Sequence, residues 1–206
     1  METIAFLVQR IGPYHHARLR AWAAVRPGAI DVIEFRPADA VYAWTSVNEE
    51  GGYTRRQTHS RNELCRALDE LQPQAVVCTG YADPEIHQAM AWALRKRIPL
   101  VTCSDSTYDD EPRSWGKEAF KRRIVAAFEA ALVAGRRAHD YLESLGLSSD
   151  RRFQPWDVVD NAHFERGADA SRQDDAASRA KLSLPSCYFF CVARFVSKKN
   201  QYRSNQ

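Results

Sequence analysis

Short apolar runs rich in Val, Ile and Phe alternate along the chain with longer segments in which apolar residues recur at helical spacing. The short runs predict strands and the longer segments predict helices. Strands are predicted at residues 4–8, 30–35, 75–79, 100–103, 131–134 and, more weakly, 153–155. Helices are predicted at residues 16–25, 61–71, 84–97, 115–129 and 138–145. This alternation favours βαβ units, and so an α/β fold with a Rossmann-like parallel sheet and helices on both faces.

Three segments depart from the alternation. Residues 44–60 contain Gly51, Gly52 and many polar residues, which predicts an exposed loop or hairpin near a cleft. Residues 165–181 have almost no large apolar side chain, which indicates a linker that carries a solvated helix. Residues 187–193 then predict a new buried strand.

Composition adds limits to this picture. The chain has 206 residues, 45% hydrophobic and 27% charged, so it has room for one ordinary soluble domain and a remainder. A net charge of +3 with dispersed Lys and Arg is not the concentrated basic face of a nucleic-acid-binding protein. Five cysteines without metal-type spacing fit a reduced cytosol, and no apolar run is long enough to cross a bilayer. We expect a cytoplasmic protein, and peripheral membrane contact stays open.

Ligands of open α/β sheets bind beyond the carboxyl ends of the strands, so the segment after the first strand is the first candidate site. Gly12 would let a ligand approach the backbone, and a helix beginning near His15 would direct N–H groups at an anion. The segment is not a GxGxxG fingerprint. An ordinary turn with His15 and His16 exposed is an equally good interpretation of the spacing alone.

The segment after the strand at residues 100–103 is the second candidate. Its four carboxylates suit a divalent metal or a hydroxyl-rich substrate, although they lack metal-binding spacing and a flexible acidic loop is the commoner explanation. Asp105 is the best placed of the four to act. In the next helix, Glu118 and Arg122 are spaced as an i,i+4 pair, for which a surface ion pair is the favoured interpretation.

Five segments, in order, resemble bacterial family 4 glycosyltransferases. They are FLVQRIGPYHHARL (residues 6–19), VVCTGYADPEIHQAMAWALRKRIPLVTCSDSTYDDEPRSWGKE (76–118), ALVAGRRAHDYLESLG (131–146), DVVDNAHF (157–164) and FFCVARFVSKKN (189–200). In that family two Rossmann-like domains face each other across a cleft (the GT-B fold), with the acceptor on the N-terminal domain and the nucleotide sugar on the other. The resemblance implies an acceptor-side domain at residues 1–165, a linker at 166–186 and an incomplete start of the nucleotide-sugar domain at 187–206.

The resemblance also implies roles for particular residues. The loop from Gly12 to His16 matches the one that lines the cleft near the donor phosphates and the acceptor. It implies Gly12 as a donor contact, His16 as a catalytic residue, and Tyr14 and His15 as acceptor contacts. Asp105 stands where many members have a catalytic histidine near the transferred sugar. The remaining positions that the resemblance implies are Lys117 and Glu118 on the acceptor side, and Arg194 and Lys199 as the pair that holds the diphosphate.

The implied reaction is transfer of a sugar from a nucleoside diphosphate to an acceptor hydroxyl with retained configuration, without a metal or other cofactor. The family's paired glutamates are not found in the sequence, so we expect a truncated form with little activity alone. The alternative is a non-catalytic α/β module that binds a glycan or a partner protein. A flavodoxin-like regulator fits less well, because Gly12-Pro13-Tyr14 resembles neither a phosphate-binding nor a phospho-acceptor loop.

Overall fold

A computed structural model describes residues 3–36, 47, 50–185 and 187–190. Within them, seven strands form one parallel sheet in the order β3-β2-β1-β4-β5-β6-β7. The strands are β1 (Ile4–Val8), β2 (Ile30–Glu34), β3 (Thr54–Gln57), β4 (Ala75–Thr79), β5 (Leu100–Ser104), β6 (Ala130–Val133) and β7 (Arg152–Phe153). The helices are α1 (Pro13–Val25), α2 (Arg61–Leu71), α3 (Pro84–Lys96), α4 (Trp115–Val125), α5 (Arg136–Ser144), α6 (Asn161–Gln173) and α7 (Asp175–Lys181).

Helices cover both faces of the sheet because its central strands are apolar on both sides. Ala5 and Leu7 of β1 pack on one face with buried residues of α2 and α3. Phe6 and Val8 pack on the other face with α1. The predicted fold class, an α/β Rossmann-like parallel sheet with helices on both faces, is therefore confirmed.

The edge strand β3 corrects the prediction of a loop or hairpin over residues 44–60. Its sequence, Thr-Arg-Arg-Gln, contains no apolar residue and so lacks the usual strand pattern. The strand is held by charge instead, since Arg55 pairs with Glu34 of β2 at 2.6 Å and Arg56 pairs with Asp31 at 3.1 Å. The rest of the segment, residues 37–46, 48 and 49, lies outside the described residues.

Helix ends follow the local signals of the sequence. Pro84 occupies the first turn of α3 after Asp83, and Pro13 does the same for α1, which begins three residues earlier than predicted. Gly146 has φ +99°, and its N–H bonds to the carbonyl of Glu143 at the end of α5. The helix α4 ends at Val125, short of the predicted residue 129.

The described residues divide into two compact units, residues 1–160 and 161–206. In the second unit, α6 and α7 bury no side chain, in agreement with a solvated helical segment. Residues 187–190 form no strand, and residues 191–193 of the predicted strand lie outside the described residues. Among the described residues, no helix is both long and apolar enough to span a bilayer.

Candidate functional site

The strand order reverses direction at β1 and β4, and the loops that follow these two strands form the candidate site. One loop runs from Gln9 to Gly12 and the other from Gly80 to Asp83. Chains that leave neighbouring parallel strands toward opposite faces open a crevice at the carboxyl edge, which is where open α/β sheets bind ligands. Gln9 donates to the Asp83 carboxylate at 2.8 Å and so bridges the two loops.

The N-terminus of α1 is the part of this crevice best suited to an anion. Gly12 is its N-cap residue with φ −94°, makes no side-chain cap, and is followed by a first turn without an acidic residue. A Cβ built on Gly12 would meet nothing within 4 Å, so the chain itself does not require glycine here. The open space and the positive end of the helix dipole together favour a bound anion.

The neighbouring helix α3 differs in charge. Asp83 is its N-cap residue and Glu85 lies in its first turn, so two carboxylates already stand at its N-terminus. Arg36 pairs with both, at 3.0 Å and 2.7 Å, and hydrogen bonding to Glu85 is the main cause that raises the pKa of its guanidinium. An anion therefore meets less repulsion at α1 than at α3.

Glu34, the last residue of β2, fixes the shape of the loop before α1. Its carboxylate is fully buried and accepts a hydrogen bond from the Ile11 backbone N–H at 2.6 Å. Arg55 and Gln57 donate to the other carboxylate oxygen at 2.6 Å and 3.1 Å. In dinucleotide-binding sheets an acid about 20 residues after the glycine loop holds the ribose. Because Glu34 is buried and engaged by the chain itself, it is not placed for that contact.

The three predicted residues at the start of α1 have different surroundings. Tyr14 is exposed, and His16 is buried with its Nδ1 2.9 Å from the Tyr53 hydroxyl. His15 is partly buried, and desolvation together with the charge of Arg18 lowers its pKa to about 4. Its imidazole is therefore neutral near pH 7. The burial of His16 favours a packing role, whereas Tyr14 is accessible to a ligand.

Arg18 secures the other side of α1. Its guanidinium lies 4.9 Å above the Trp156 ring, donates to the Val158 carbonyl at 2.8 Å and pairs with Asp157. These contacts tie the segment after β7 to the first helix. They also place the cation whose charge acts on His15.

Asp105 is exposed directly after β5, at the same edge of the sheet. Since β5 lies next to β4, its end is two strand spacings, roughly 10 Å, from the end of β1. Two other carboxylates of the acidic loop are engaged by the chain: Asp110 accepts from the Thr107 N–H at 2.6 Å and Asp109 pairs with Arg137. The structure thus places Asp105 at the edge of the sheet that carries Gly12. Asp109 and Asp110 instead bond to Arg137 and to the Thr107 backbone.

Glu118 belongs to an internal cluster with Arg113, Lys121 and Tyr141. The Tyr141 hydroxyl donates to Glu118 at 2.9 Å and accepts from Arg113 at 2.8 Å and Lys121 at 3.0 Å. Partial burial raises the pKa of Glu118, but the hydrogen bond from Tyr141 and the nearby cations outweigh it and the net shift is downward. Glu118 pairs with Arg113 and Lys121 at 3.3 Å and 3.4 Å, in place of the predicted pair with Arg122.

Lys117 is exposed in the first turn of α4, while Arg194 and Lys199 lie outside the described residues. A possible metal-binding group, with ligand atoms within 4.8 Å of one another, is formed on α5 by His139, Asp140 and Glu143. Glu143 also pairs with the buried Arg152 at 3.3 Å.

Sequence reasoning missed Glu34 and Arg36, which shape the crevice most directly. A usable signal was present, because Glu34 is a charged residue at the carboxyl end of a run of buried strand residues. Buried carboxylates are rare unless they are paired, so such a residue predicts a specific partner. That partner, Arg55, stands in the polar strand that the pattern missed.

The fold resembles those of several solved structures. UDP-N-acetylglucosamine 2-epimerase from Neisseria meningitidis, bound to UDP-GlcNAc, aligns with TM-score 0.56 and 13% identity over 91% of this chain and 54% of its own. Anabaena Alr3699/HepE, in complex with UDP and glucose, aligns with TM-score 0.55 and 11% identity over 87% of this chain and 51% of its own. UDP-N-acetylglucosamine 2-epimerase from Rickettsia bellii aligns with TM-score 0.54 and 14% identity over 90% of this chain and 52% of its own.

These likenesses show a shared fold. The chain spans about half the length of each of these proteins. No protein-family model matches the chain, and no curated protein does.

Proposed function

We propose that this chain is the acceptor-side part of a GT-B glycosyltransferase resembling family 4. The reaction is transfer of a sugar from a nucleoside diphosphate to an acceptor hydroxyl with retained configuration. The observation that carries the proposal is the N-terminus of α1, which is open, free of acidic residues and located where the strand order reverses. A diphosphate suits such a position because it is compact, doubly charged and bound well by backbone N–H groups.

The roles follow from accessibility and charge. Gly12 allows the diphosphate to approach the backbone, and the exposed Tyr14 offers a hydrogen bond to an acceptor hydroxyl. His15 is neutral but largely desolvated, and its acceptor role rests on the resemblance. Asp105 stands at the same edge and is assigned to the reacting sugar. His16 keeps a catalytic role only through the resemblance, since its ring is buried against Tyr53.

Solved structures of similar fold support UDP-sugars as the first donors to test. One of them holds UDP and glucose, and another holds UDP-GlcNAc. Two of the three are UDP-GlcNAc 2-epimerases, which makes epimerisation of a UDP-sugar the second candidate function. The two candidates share the nucleotide sugar and differ in whether an acceptor is consumed.

Isothermal titration with UDP, GDP and their sugar conjugates tests the proposed donor. We expect UDP-sugar binding that weakens roughly tenfold or more in Arg194→Ala and in Lys199→Ala, since each removes a charge-assisted contact to the diphosphate. Arg95→Ala is the control, because Arg95 is exposed in the last turn of α3, at the opposite edge of the sheet. Equal binding by all four proteins would contradict the assignment of these cations. Product analysis then separates transfer from epimerisation.

A further inference from the structure

The outer face of α4 exposes large aromatic side chains. Trp115 is 88% exposed and Phe120 is 62% exposed, although both belong to a regular helix packed on the sheet. Exposed aromatic side chains leave a large apolar area in water, which burial in another apolar environment would favour. Two of them on one short helix indicate a surface that contacts something else.

The same helix carries the positive charge of the protein. The helix contains four basic residues and one acid, a net charge of +3, which equals the net charge of the whole chain, so all other residues together have a net charge of zero. The acid, Glu118, faces the internal cluster with Tyr141. Lys117, Arg122 and Arg123 are exposed.

Burial separates the two sides of α4 cleanly. Val125, which is buried, and the Glu118 and Lys121 side chains, bonded to Tyr141, fix the inner side. The exposed residues are Trp115, Gly116, Lys117, Ala119, Phe120, Arg122 and Arg123, none of them acidic. At 100° per residue, Trp115 and Phe120 lie about 140° apart around the helix axis, with Arg123 between them.

This arrangement fits an anionic lipid surface better than a nucleic acid. Aromatic residues that stack on bases line a groove that also follows the phosphates. Trp115 and Phe120 instead lie on two sides of a convex helix surface. A flat, deformable lipid surface can contact both side chains at once. Aromatic side chains among basic residues are typical of helices that lie in the headgroup region of a membrane.

We propose that α4 docks this protein on an anionic membrane surface. Trp115 and Phe120 enter the headgroup region, and Lys117, Arg122 and Arg123 lie against lipid phosphates. The inward cluster around Tyr141 keeps the helix attached to α5 while its outer face is in contact with lipid. This proposal does not depend on the reaction that the protein catalyses.

Sedimentation of the full chain with vesicles tests the proposal. Vesicles of phosphatidylcholine alone are compared with vesicles that also contain phosphatidylglycerol, at low and at high salt. One double variant, Arg122→Gln with Arg123→Gln, removes charge, and Arg61→Gln with Arg66→Gln on exposed positions of α2 is its matched control. A second, Trp115→Ser with Phe120→Ser, removes the aromatic residues, and Val25→Ser with Leu94→Ser at exposed positions is its control.

We expect binding to the anionic vesicles that falls with salt, and about a fivefold loss of affinity for each cation removed. The aromatic double variant should lose roughly tenfold or more, and both controls should bind as the wild type. Far-UV circular dichroism checks that every variant is folded. Equal binding to both vesicle types, no vesicle binding, or equal losses in variants and controls would each overturn the proposal. So would binding to a single-stranded oligonucleotide with the same dependence on Arg122 and Arg123 in the absence of vesicle binding.

Discussion

The carboxylate of Glu34 joins three parts of the sheet edge. It accepts hydrogen bonds from the Ile11 backbone before α1 and from Arg55 and Gln57 of β3, while being inaccessible to water. A buried charge costs several kcal/mol unless partners compensate it, so the three donors and the acid form one unit. The position of the candidate anion site, one residue beyond Ile11, depends on this unit.

Glu34→Ala should lower the free energy of unfolding by about 3–5 kcal/mol, because it leaves Arg55 and the Ile11 N–H without their acceptor. Urea titration followed by circular dichroism measures the loss. Glu34→Gln should lose less, since an amide oxygen can still accept from Ile11. Glu129→Ala, at an exposed carboxylate, serves as the control and should change stability by no more than about 0.5 kcal/mol. A loss of the control's size in Glu34→Ala would contradict the role given to this residue.

His15 makes the stability of the fold depend on pH. Its pKa is about 4 in the folded protein and 6.5 in the ordinary unfolded reference, with desolvation as the main cause. Between these values the unfolded chain binds a proton that the folded chain does not, so stability falls as pH drops from 6.5 to 4. Between pH 6.5 and pH 4, His15 therefore lowers the free energy of unfolding by an amount on the order of 3 kcal/mol.

Denaturation of His15→Gln at pH 7 and near pH 4 tests this effect. The variant should lose less stability than the wild type between the two pH values, and the difference should approach the contribution of His15. His59→Gln, at an exposed histidine, should follow the wild type. Parallel pH profiles for the wild type and His15→Gln would show that His15 is not buried in this way.

At the scale of elements, the hydroxyl of Tyr141 in α5 links α4 to the loop after β5. Arg113 donates to this hydroxyl and also to the Tyr108 and Thr107 carbonyls, and its guanidinium lies 4.5 Å from the centre of the Tyr141 ring. The loop that carries Asp105 is therefore held at its far end by an aromatic residue of another helix.

Tyr141→Phe keeps the ring and removes the hydroxyl, which leaves Arg113, Lys121 and Glu118 each short of one partner. We expect a loss of about 1–3 kcal/mol and faster hydrogen exchange in residues 105–113, measured by mass spectrometry. Tyr108→Phe is the control, because Tyr108 is exposed and contributes its backbone carbonyl to Arg113. Unchanged exchange in residues 105–113 of Tyr141→Phe would contradict the bracing role.

The sequence predicts the central elements well because they are buried on both faces. The apolar runs of β1 and β4 leave little choice of structure, and Pro84 and Gly146 mark helix ends by their own backbone geometry. The polar strand β3 could not be found this way, because it joins β2 through backbone pairing and ion pairs and has no apolar face. Glu34 indicates that a partner exists, but a local pattern does not identify which residue supplies it.

At the scale of the whole molecule, the strand order decides which loops meet. The sequence alone identifies the segments after β1 and β5 as candidates, but it does not show that β4 lies between them. It also does not show which side chains at the start of α1 are exposed. The fold buries His16 and leaves Tyr14 exposed. Helical phase relative to the sheet, which depends on packing, accounts for that difference.

The central claim is that the N-terminus of α1 binds the diphosphate of a nucleotide. The variant Gly12→Asp tests this claim, because it should raise the stability of the fold and lower the affinity for diphosphate. A carboxylate at the N-cap should stabilise α1 by a few tenths to about 1 kcal/mol, and it should weaken diphosphate binding roughly tenfold by repulsion. Gly135→Asp is the matched control, since Gly135 is the N-cap residue of α5 and also has open space around its Cβ.

The most direct measurement is a titration of the ¹⁵N-labelled chain with UDP, and separately with uridine, followed by amide chemical shifts. We predict that UDP shifts the amides of Gly12, Tyr14 and His15 in the wild type and in Gly135→Asp, much less in Gly12→Asp, and that uridine leaves them in place. If these amides do not respond to UDP, or respond equally in Gly12→Asp, the diphosphate does not bind at α1 and the account is wrong.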